Sequence, residues 1–384
     1  MNVDFVLSKS GRFKEMQSFG QSPWLDNISR CMIDSGDLAK LVQNGIITGI
    51  TSNPSIFEKA INSGKCGYPE AIKSLSSKKL TPFEIYDTLT REDIKSAAKI
   101  LMPVYEKSGG KDGFVSIEVP PNIATDAETS INEAVRISSL IGEKNVLIKI
   151  PATKEGLDVV SALISKGINI NVTLMFSLNH YIDVANAYIK GLKAALKNGL
   201  NVENIHSVAS IFISRVDTLV DKLLNDLIAG ATEPAKKEKL TNLLGKAGVA
   251  NSKMIFNKFN EIFNGKEFST LKENGANIQR LLFASTSTKN PAYHDLKYVE
   301  PFIGKNTINT LPDETIEHIA VHGNILPGTA SQELDESLRT IKELSEFGIN
   351  LNNAGEKLQS DGVKSFEDSY EKLLNSIKNI SNII

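Results

Sequence analysis

Polar side chains interrupt four successive apolar segments in the middle of the sequence, FVSIEV, VLIKI, INVTLMF and VASIFI. These polar residues are Glu118, Lys149, Asn171, Thr173 and Ser210. A buried polar group without a partner costs about 1 to 3 kcal/mol, and a buried charge costs more. Five of them in segments that otherwise predict buried strands therefore indicate a functional constellation.

Lys149 has the most distinctive chemistry of the five, because Ile148, Ile150 and Pro151 flank it. Burial disfavours the charged form of an amine, and a neutral amine can attack a ketone to form a Schiff base. The protonated Schiff base then accepts the electrons released when a carbon–carbon bond breaks. Lys149 could equally form a structural ion pair with Glu118 or point to solvent, and spacing alone leaves these alternatives open.

Schiff-base chemistry also needs groups that move protons. Glu118 could relay protons together with the hydroxyl of Thr173, or it could serve only as the ion-pair partner of Lys149. Asp26 in WLDN is a candidate for a second acid and base, set apart from Glu118. Its alternative is an ordinary turn or helix-capping aspartate.

Other patterns that could carry chemistry are incomplete. The KSGGKDG segment at 107–113 lacks the phosphate-binding GxxxxGK[ST] pattern and predicts a turn. His318 and His322 do not form HExxH, and a spacing of four aligns side chains on a helix rather than on the strand that we predict there. Cys31 and Cys66 have no CxxC partner, so we expect free thiols. No metal site is expected.

The elements that must position these residues alternate between short apolar runs and helical patterns. The predicted strands are IITGIT at 46–51, GFVSIEV at 113–119, NVLIKI at 145–150, INVTLMF at 170–176, SVASIFI at 207–213, RLLFAS at 280–285 and IEHIAVH at 316–322, with a weaker one near 24–28. Nearly continuous apolar runs are typical of parallel strands buried on both faces.

Helical patterns occupy 126–141 after the cap-like Thr125, and also 156–166, 178–197 and 331–347. Seven or eight strand–helix units favour an α/β fold of the (β/α)8 TIM-barrel type over an open doubly wound sheet. Residues 216–265 predict a helical insertion after the sixth strand. The capping-box pattern SFED at 365 predicts a C-terminal docking helix over 365–380.

Composition limits the cellular setting and the class of partner. The 384 residues carry 43 basic and 45 acidic side chains, a net charge of −2, which gives no basic field for nucleic acid or an anionic membrane. Without a targeting segment or a long apolar run, we expect a cytoplasmic protein. We interpret 1–384 as one barrel domain, present as a monomer or homodimer.

The motifs quoted above make the sequence resemble the transaldolase family over nearly its whole length. The resemblance rests on WLDNISR, TSNPSIFEKAI, VSIEV, LIKIPAT, INVTLMFS, SIFISRVD and LLFASTSTKNPAY. It implies transfer of a dihydroxyacetone unit from sedoheptulose 7-phosphate to glyceraldehyde 3-phosphate in the pentose phosphate pathway, with no metal or organic cofactor. It also implies that Lys149 forms the Schiff base, that Glu118 relays protons with Thr173 through a water, and that Asp26 handles a substrate hydroxyl proton.

The resemblance further implies residues that bind the sugar phosphate. Asn53, Asn171 and Ser210 would orient the dihydroxyacetone hydroxyls, with Thr51 and Phe212 in the same pocket, and Arg215 and Ser285 would hold the phosphate. Many family members have an arginine where Ser287 stands. Lys289 could replace that charge as a point cation, or it could equally be a solvent-exposed loop lysine, so we expect Arg215 to be the main phosphate contact.

The nearest alternative is the fructose 6-phosphate aldolase type, which carries glutamine at the position of Glu118 and tyrosine at that of Phe212. A non-catalytic sugar-phosphate-binding barrel is a further alternative. It predicts the loss of Lys149, Glu118 or Asp26, and all three are present.

Overall fold

The computed structural model describes residues 1–381, which form a closed barrel of eight parallel strands surrounded by helices. The strands pair in chain order, and the eighth closes the barrel against the first. They are β1 Gln21–Leu25, β2 Gly49–Ile50, β3 Val115–Glu118, β4 Val146–Pro151, β5 Ile170–Met175, β6 Ser207–Phe212, β7 Gln279–Ala284 and β8 Thr307–Leu311. The predicted (β/α)8 fold is confirmed.

The helices follow the strands and cover the outside of the barrel. They are α1 Val3–Leu7, α2 Gly11–Ser18, α3 Arg30–Asp34, α4 Asp37–Gln43, α5 Pro54–Asn62, α6 Tyr68–Ser76, α7 Pro82–Lys107, α8 Ala127–Ile141, α9 Lys154–Ile164, α10 Leu178–Lys197, α11 Ser214–Gly230, α12 Pro234–Leu243, α13 Ala247–Phe263, α14 Lys266–Glu273, α15 Asp313–His322, α16 Leu334–Glu346 and α17 Leu351–Ser381. None of these helices is both long and apolar enough to cross a membrane.

Apolar side chains fill both the inside of the barrel and the layer between strands and helices, which is why the strands read as nearly continuous apolar runs. Trp24 is the largest side chain inside the barrel and is fully buried. It packs directly over Gly49 of β2, where an added Cβ would lie 2.4 Å from the indole ring. Only glycine therefore fits at position 49.

Charged and polar groups close the N-terminal end of the barrel. Arg280 donates hydrogen bonds to Ser22 Oγ at 2.7 Å and to the carbonyl of Thr307 at 2.7 Å. Asp112 accepts from Trp24 Nε1 at 2.8 Å, from the Gly113 amide at 3.0 Å and from the Ser22 hydroxyl. Arg280 Nη1 lies 4.0 Å from Asp112 Oδ2. The side chains of Ser22, Trp24, Asp112 and Arg280 line a cavity of about 660 Å³.

The eighth strand differs from the prediction. The prediction of a strand over 316–322 is wrong, because these residues lie in α15, and β8 is the more polar TINTL segment at Thr307–Leu311. A short apolar run fits a buried helix turn as well as a strand, so periodicity did not separate the two. Pro312 and Asp313, which begin the helix, were the available signal.

Two helix starts also differ from the sequence prediction. Asp126, rather than Thr125, caps α8 by accepting a hydrogen bond from the Thr129 amide. The C-terminal helix begins at Leu351, and the SFED segment lies inside it instead of capping it. Its docking on the barrel is confirmed, since Gln359 Nε2 donates to the carbonyls of Ala152 and Leu174. The helical insertion after β6 is confirmed as α11 to α14.

The expectation of free thiols is wrong, because Cys31 and Cys66 form a disulfide with Cα atoms 4.9 Å apart. Cys31 lies in α3, which follows β1, and Cys66 follows α5, which follows β2. Because β1 and β2 are neighbours, the two connections meet at the same rim of the barrel. A separation of 35 residues in the chain carries no signal of this proximity.

Candidate active site

The predicted site residues gather at the C-terminal end of the barrel, where (β/α)8 barrels carry their active sites. Seven successive strands or their following loops contribute to the cluster. Asp26 follows β1, Thr51 and Asn53 follow β2, Glu118 ends β3, Lys149 lies in β4, Asn171 and Thr173 lie in β5, and Ser210 and Phe212 lie in β6. Arg215 is the second residue of α11, and Ser285 and Lys289 follow β7.

Parallel pairing brings Glu118, Lys149 and Asn171 to one level on three adjacent strands. Glu118 is paired with Lys149, and Lys149 is paired with Asn171. Lys149 Nζ lies 3.9 Å from Glu118 Oε2 and donates to the backbone carbonyl of Ser52 at 3.3 Å. The lysine is buried, so its amine is held between a carboxyl group and a carbonyl with little access for bulk water.

Glu118 is a buried acid with unusually few partners. Neither of its carboxyl oxygens hydrogen-bonds to any group in residues 1–381, and the Thr173 hydroxyl is likewise unpartnered there. Burial raises the pKa of Glu118 to about 7, although the positive charge of Lys149 opposes the rise. A carboxyl group with a pKa near neutrality can both accept and donate a proton, as general acid–base catalysis requires.

Asp26 is the second buried acid and is held differently. Its Oδ1 accepts a hydrogen bond from Thr51 Oγ1 at 2.8 Å, and Thr51 in turn lies 2.5 Å from Thr310 Oγ1. Burial raises the pKa of Asp26, while Lys149 and the hydrogen bond from Thr51 lower it. The cluster thus contains two acids near one lysine, one hydrogen-bonded to Thr51 and the other without a hydrogen-bond partner in residues 1–381, and such different environments separate acid and base roles.

A hydrogen-bonded chain orients the amide of Asn171 inside the barrel. Asn171 Nδ2 donates to Ser116 Oγ at 2.9 Å, and Ser210 Oγ donates to Asn171 Oδ1 at 2.7 Å. All three residues are buried. Asn53, by contrast, caps α5 by accepting from the Ile56 amide at 3.0 Å, so its oxygen already has a structural partner and its amide group remains available as a donor.

A cavity of about 390 Å³ opens beside this cluster. Nine of the twelve predicted residues line it, namely Asp26, Thr51, Asn53, Lys149, Ser210, Phe212, Arg215, Ser285 and Lys289. Glu118, Asn171 and Thr173 do not line it and are buried around Lys149. The structure therefore brings nine of the predicted residues to the cavity wall and buries the other three.

Positive charge lies at the outer part of this cavity. The guanidinium of Arg215 stacks over the Phe212 ring at 5.4 Å, and burial lowers the pKa of Arg215 while Asp26 raises it. Ser285 lies 2.8 Å, Oγ to Oγ, from Ser214 at the N-terminus of α11. Lys289 is exposed, and Ser287 is buried in the same wall. Arginine, serine hydroxyls and a helix N-terminus together suit an anionic group.

Sequence reasoning missed other residues of the cavity wall, including Ser55, Lys59, Ser214, Thr218, Thr310 and Phe366. Thr310 was missed because β8 was assigned to the wrong segment. Phe366 comes from α17, which packs on α5 and places this ring over the cavity. Only the docking of a distant helix brings Phe366 there, so no local signal could have found it.

The fold and the site define a class of protein: a (β/α)8 barrel whose buried lysine lies beside an acid at the catalytic end, equipped for covalent chemistry on a carbonyl compound. A family model described as Transaldolase/Fructose-6-phosphate aldolase matches residues 23–377. The chain belongs to this family.

Individual relatives agree with the family model. The chain is 42% identical over 370 residues to a transaldolase of Trichodesmium erythraeum, covering 95% of this chain and 96% of that protein. It is 39% identical to transaldolase 1 of Streptomyces coelicolor, covering 98% and 97%. It is 41% identical to a transaldolase of Thiobacillus denitrificans, covering 95% and 99%.

Proposed function

We propose that the chain is a transaldolase that acts in the non-oxidative pentose phosphate pathway. It transfers a dihydroxyacetone unit from sedoheptulose 7-phosphate to glyceraldehyde 3-phosphate, giving erythrose 4-phosphate and fructose 6-phosphate. The observation that carries this proposal is the buried amine of Lys149, 3.9 Å from the unpartnered carboxyl group of Glu118, in a cavity that has Arg215 on its wall. Full-length similarity to transaldolases supports the choice of reaction.

The first step joins donor and enzyme. The neutral amine of Lys149 attacks the C2 carbonyl of the donor ketose, and the resulting carbinolamine loses water to give a protonated Schiff base. Glu118 supplies and takes back the protons for this dehydration, with the Thr173 hydroxyl and one water as the relay. The pKa of Glu118 near 7 suits both directions of transfer.

The second step breaks the bond between C3 and C4. Asp26 accepts the proton of the C4 hydroxyl, the C4 carbon becomes the aldehyde of erythrose 4-phosphate, and the bonding electrons move onto the Schiff-base nitrogen as an enamine. The enamine carbon then attacks the aldehyde of glyceraldehyde 3-phosphate, whose oxygen recovers the proton from Asp26. Addition of water to the new Schiff base releases fructose 6-phosphate and restores Lys149.

The remaining residues bind the substrate. Asn53, Asn171 and Ser210 orient the hydroxyls of the three-carbon unit, and Thr51 and Phe212 complete that part of the pocket. The phosphate lies at the other end, against the guanidinium of Arg215 and the hydroxyl of Ser285. Lys289 contributes a single exposed charge there, without the bidentate geometry of an arginine.

Reductive trapping tests the proposal. Borohydride added with fructose 6-phosphate reduces the Schiff base, and peptide mass mapping is expected to find a three-carbon adduct on Lys149. Lys59 and Lys289 line the same cavity and are exposed, so they serve as internal controls: a non-specific reaction would modify them as well as Lys149. An adduct on either of them alone, or no adduct, contradicts the mechanism.

A fructose 6-phosphate aldolase of the same family is the second candidate, because it uses the same lysine but releases free dihydroxyacetone. Glu118 and Phe212 favour transfer over release. The enzyme is expected to release dihydroxyacetone slowly from fructose 6-phosphate alone and to react much faster when erythrose 4-phosphate is added as acceptor. Equal rates with and without the acceptor assign the chain to the aldolase type instead. No reaction with either identifies a non-catalytic sugar-phosphate-binding barrel.

The proposed reaction needs no metal or organic cofactor, since the lysine itself holds the electrons of the broken bond. Its substrates are small sugar phosphates, and we propose a cytoplasmic location because phosphorylated sugars are kept there. We further propose that residues 1–384 act as one catalytic unit, as a monomer or homodimer, because the site draws residues from Asp26 near the start to Phe366 near the end.

A further inference from the structure

Three of the five histidines of this protein meet one carboxylate on the outer rim of the barrel. His318 and His322 lie one helical turn apart in α15, and His294 and Asp295 lie in the connection between β7 and β8. On a strand, as the sequence predicted, His318 and His322 would share a face but lie about 13 Å apart. On a helix, a spacing of four puts both side chains on one face.

We propose that His294, Asp295 and His322 bind one divalent transition-metal ion of the zinc class. One ligand atom from each of the three residues lies within 4.8 Å of the other two. Asp295 Oδ1 is 2.9 Å from His322 Nε2 and 3.8 Å from His294 Nε2. A tetrahedral zinc ion with bonds of about 2.0–2.1 Å holds its ligand atoms about 3.4 Å apart, so small side-chain rotations suffice to bind it.

The surroundings of the cluster fit a metal site in two further ways. Thr288 Oγ1 donates to the backbone carbonyls of both His294 and Asp295 at 3.0 Å, which fixes the loop that carries these ligands. The cluster also lines an open cavity of about 390 Å³, and its side chains are partly exposed, so an ion can enter from solvent.

Binding through His294 Nε2 changes the partner of the other ring nitrogen. The Leu296 amide donates to His294 Nδ1 at 3.3 Å, and this hydrogen bond must break because Nδ1 carries the ring proton when Nε2 binds an ion. Glu300 Oε2 lies 4.0 Å from Nδ1, and a rotation of the ring would bring it within hydrogen-bonding distance. A carboxylate behind a metal-binding histidine is a common arrangement that orients the ring.

The ligand set determines the class of ion. Two imidazole nitrogens and one carboxylate oxygen suit Zn²⁺, Co²⁺ or Ni²⁺, whereas Mg²⁺ and Ca²⁺ prefer oxygen ligands alone. His318 Nδ1 lies 3.3 Å from the other oxygen of Asp295, so we assign His318 the role of orienting the carboxylate. Solvent completes the coordination.

The ion would join the β7–β8 connection to α15. None of its ligands lines the cavity around Lys149, so the site is independent of the proposed reaction and its role is structural. An ion that binds only the folded state raises the unfolding temperature, and the rise grows with the logarithm of the free ion concentration above the Kd.

The test uses the full-length chain without a histidine tag, stripped with chelator and kept free of reductant so that Cys31 and Cys66 stay paired. Titration with Co²⁺ alone is followed by visible absorption, and displacement by Zn²⁺ is measured afterwards. We expect one equivalent of bound Co²⁺ with the bands of a low-coordinate site, displacement by Zn²⁺ but not by excess Mg²⁺, and a higher unfolding temperature with the ion.

Variants assign the ligands. His294→Ala and His322→Ala are expected to abolish the absorption and the thermal shift, while His318→Ala weakens binding by about 10- to 100-fold. Val321→Thr, an exposed neighbour on the same helix, is the matched control and keeps both signals. Unchanged unfolding temperatures of the metal-free variants exclude misfolding. No saturable binding by the native chain, or binding that survives both alanine variants, overturns the proposal.

Discussion

The two ends of the barrel each hold a buried or half-buried ion pair at nearly the same separation, yet they are built differently. At the C-terminal end Lys149 and Glu118 lie 3.9 Å apart, and at the N-terminal end Arg280 and Asp112 lie 4.0 Å apart. Asp112 accepts hydrogen bonds from three protein donors, whereas no group in residues 1–381 donates to Glu118.

This difference identifies the reactive end better than cavity size does. The N-terminal cavity, at about 660 Å³, is larger than the 390 Å³ cavity beside Lys149. The hydrogen bonds to Asp112 hold β1, the loop before β3 and the Trp24 side chain together. An unpartnered acid with a pKa of about 7 costs stability and can exchange protons at physiological pH. We therefore propose that the C-terminal end of the barrel carries the chemistry and that the polar groups at the N-terminal end contribute to stability.

The largest effect that would sharpen the comparison comes from Lys149→Met. Removal of the only proposed nucleophile is expected to lower kcat by a factor of about 10⁴ or more, as with other covalent catalysts. Lys253→Met is the matched control: this lysine is also buried and paired, 2.6 Å from Glu333, but lies in the helical insertion. It should retain activity. If the transfer rate falls by comparable factors in Lys149→Met and Lys253→Met, Lys149 is not distinguished as the nucleophile from a structural buried lysine.

Glu118→Gln is expected to lower kcat by about 10²- to 10⁴-fold, because an amide cannot transfer protons. The pH–rate profile of the native chain should show an inflection near pH 7 that the variant lacks. An unchanged profile would show that Glu118 is only an ion-pair partner of Lys149.

The same variant tests the stability cost of Glu118. Its folded pKa, about 7, lies above its ordinary value of 4.5, so the native state binds more protons than the unfolded state between these values. The raised pKa therefore lowers the free energy of unfolding as pH rises from about 4.5 to 7. Urea unfolding at pH 5 and pH 8 should show a smaller decline for Glu118→Gln. An equal decline would mean that other groups cause it.

Arg215→Met addresses the anionic end of the same cavity. Loss of a charge-assisted hydrogen bond, worth about 1.5 to 3 kcal/mol, should lower kcat/KM for phosphorylated donors by roughly 10- to 100-fold. The loss should be expressed mainly in KM and should be small for unphosphorylated fructose. Lys289→Met is the comparison variant and should have a weaker effect, since Lys289 is exposed. If Lys289→Met has the larger effect, the main phosphate contact is Lys289.

Asp112→Asn should have the smallest effect on catalysis. The amide removes one acceptor beside Arg280 and Trp24, so we expect a loss of about 1 to 3 kcal/mol in the free energy of unfolding. The values of kcat and KM should stay at those of the native chain, because Asp112 is at the opposite end from Lys149. A large fall in kcat with unchanged stability would contradict the separation of the two ends.

The positions of the residues that we propose as catalytic and substrate-binding were predictable, because polar residues within apolar runs are visible in the local sequence. Glu118, Lys149, Asn171 and Ser210 interrupt apolar runs whose strand structure β3 to β6 confirms. The same reasoning failed at the end of the barrel. The strand TINTL is polar, so it has no apolar run from which to predict it, and the apolar run IEHIAVH belongs to a helix.

The long C-terminal helix shows why local signals misplace element ends. Gly355 and Gly362 lie inside α17, where they allow close approach to Ser177 and Leu174. Tertiary packing thus favours glycine at positions where helix propensity disfavours it. The helix begins at Leu351, fourteen residues before the SFED segment at 365 that predicted its start. The two glycines of this first part weaken the local helix signal, so the sequence did not show it.

The sequence by itself determined the barrel fold, the strand positions of Lys149 and Glu118, and the family, because periodicity, buried polarity and motif spacing are local properties. The tertiary structure decided the 3.9 Å approach of those two residues, the presence of Thr310 and Phe366 at the cavity, the pairing of Cys31 with Cys66, and the meeting of His294 with His322. Each of these depends on strand register and helix docking between distant segments, which are set by the packing of the whole chain.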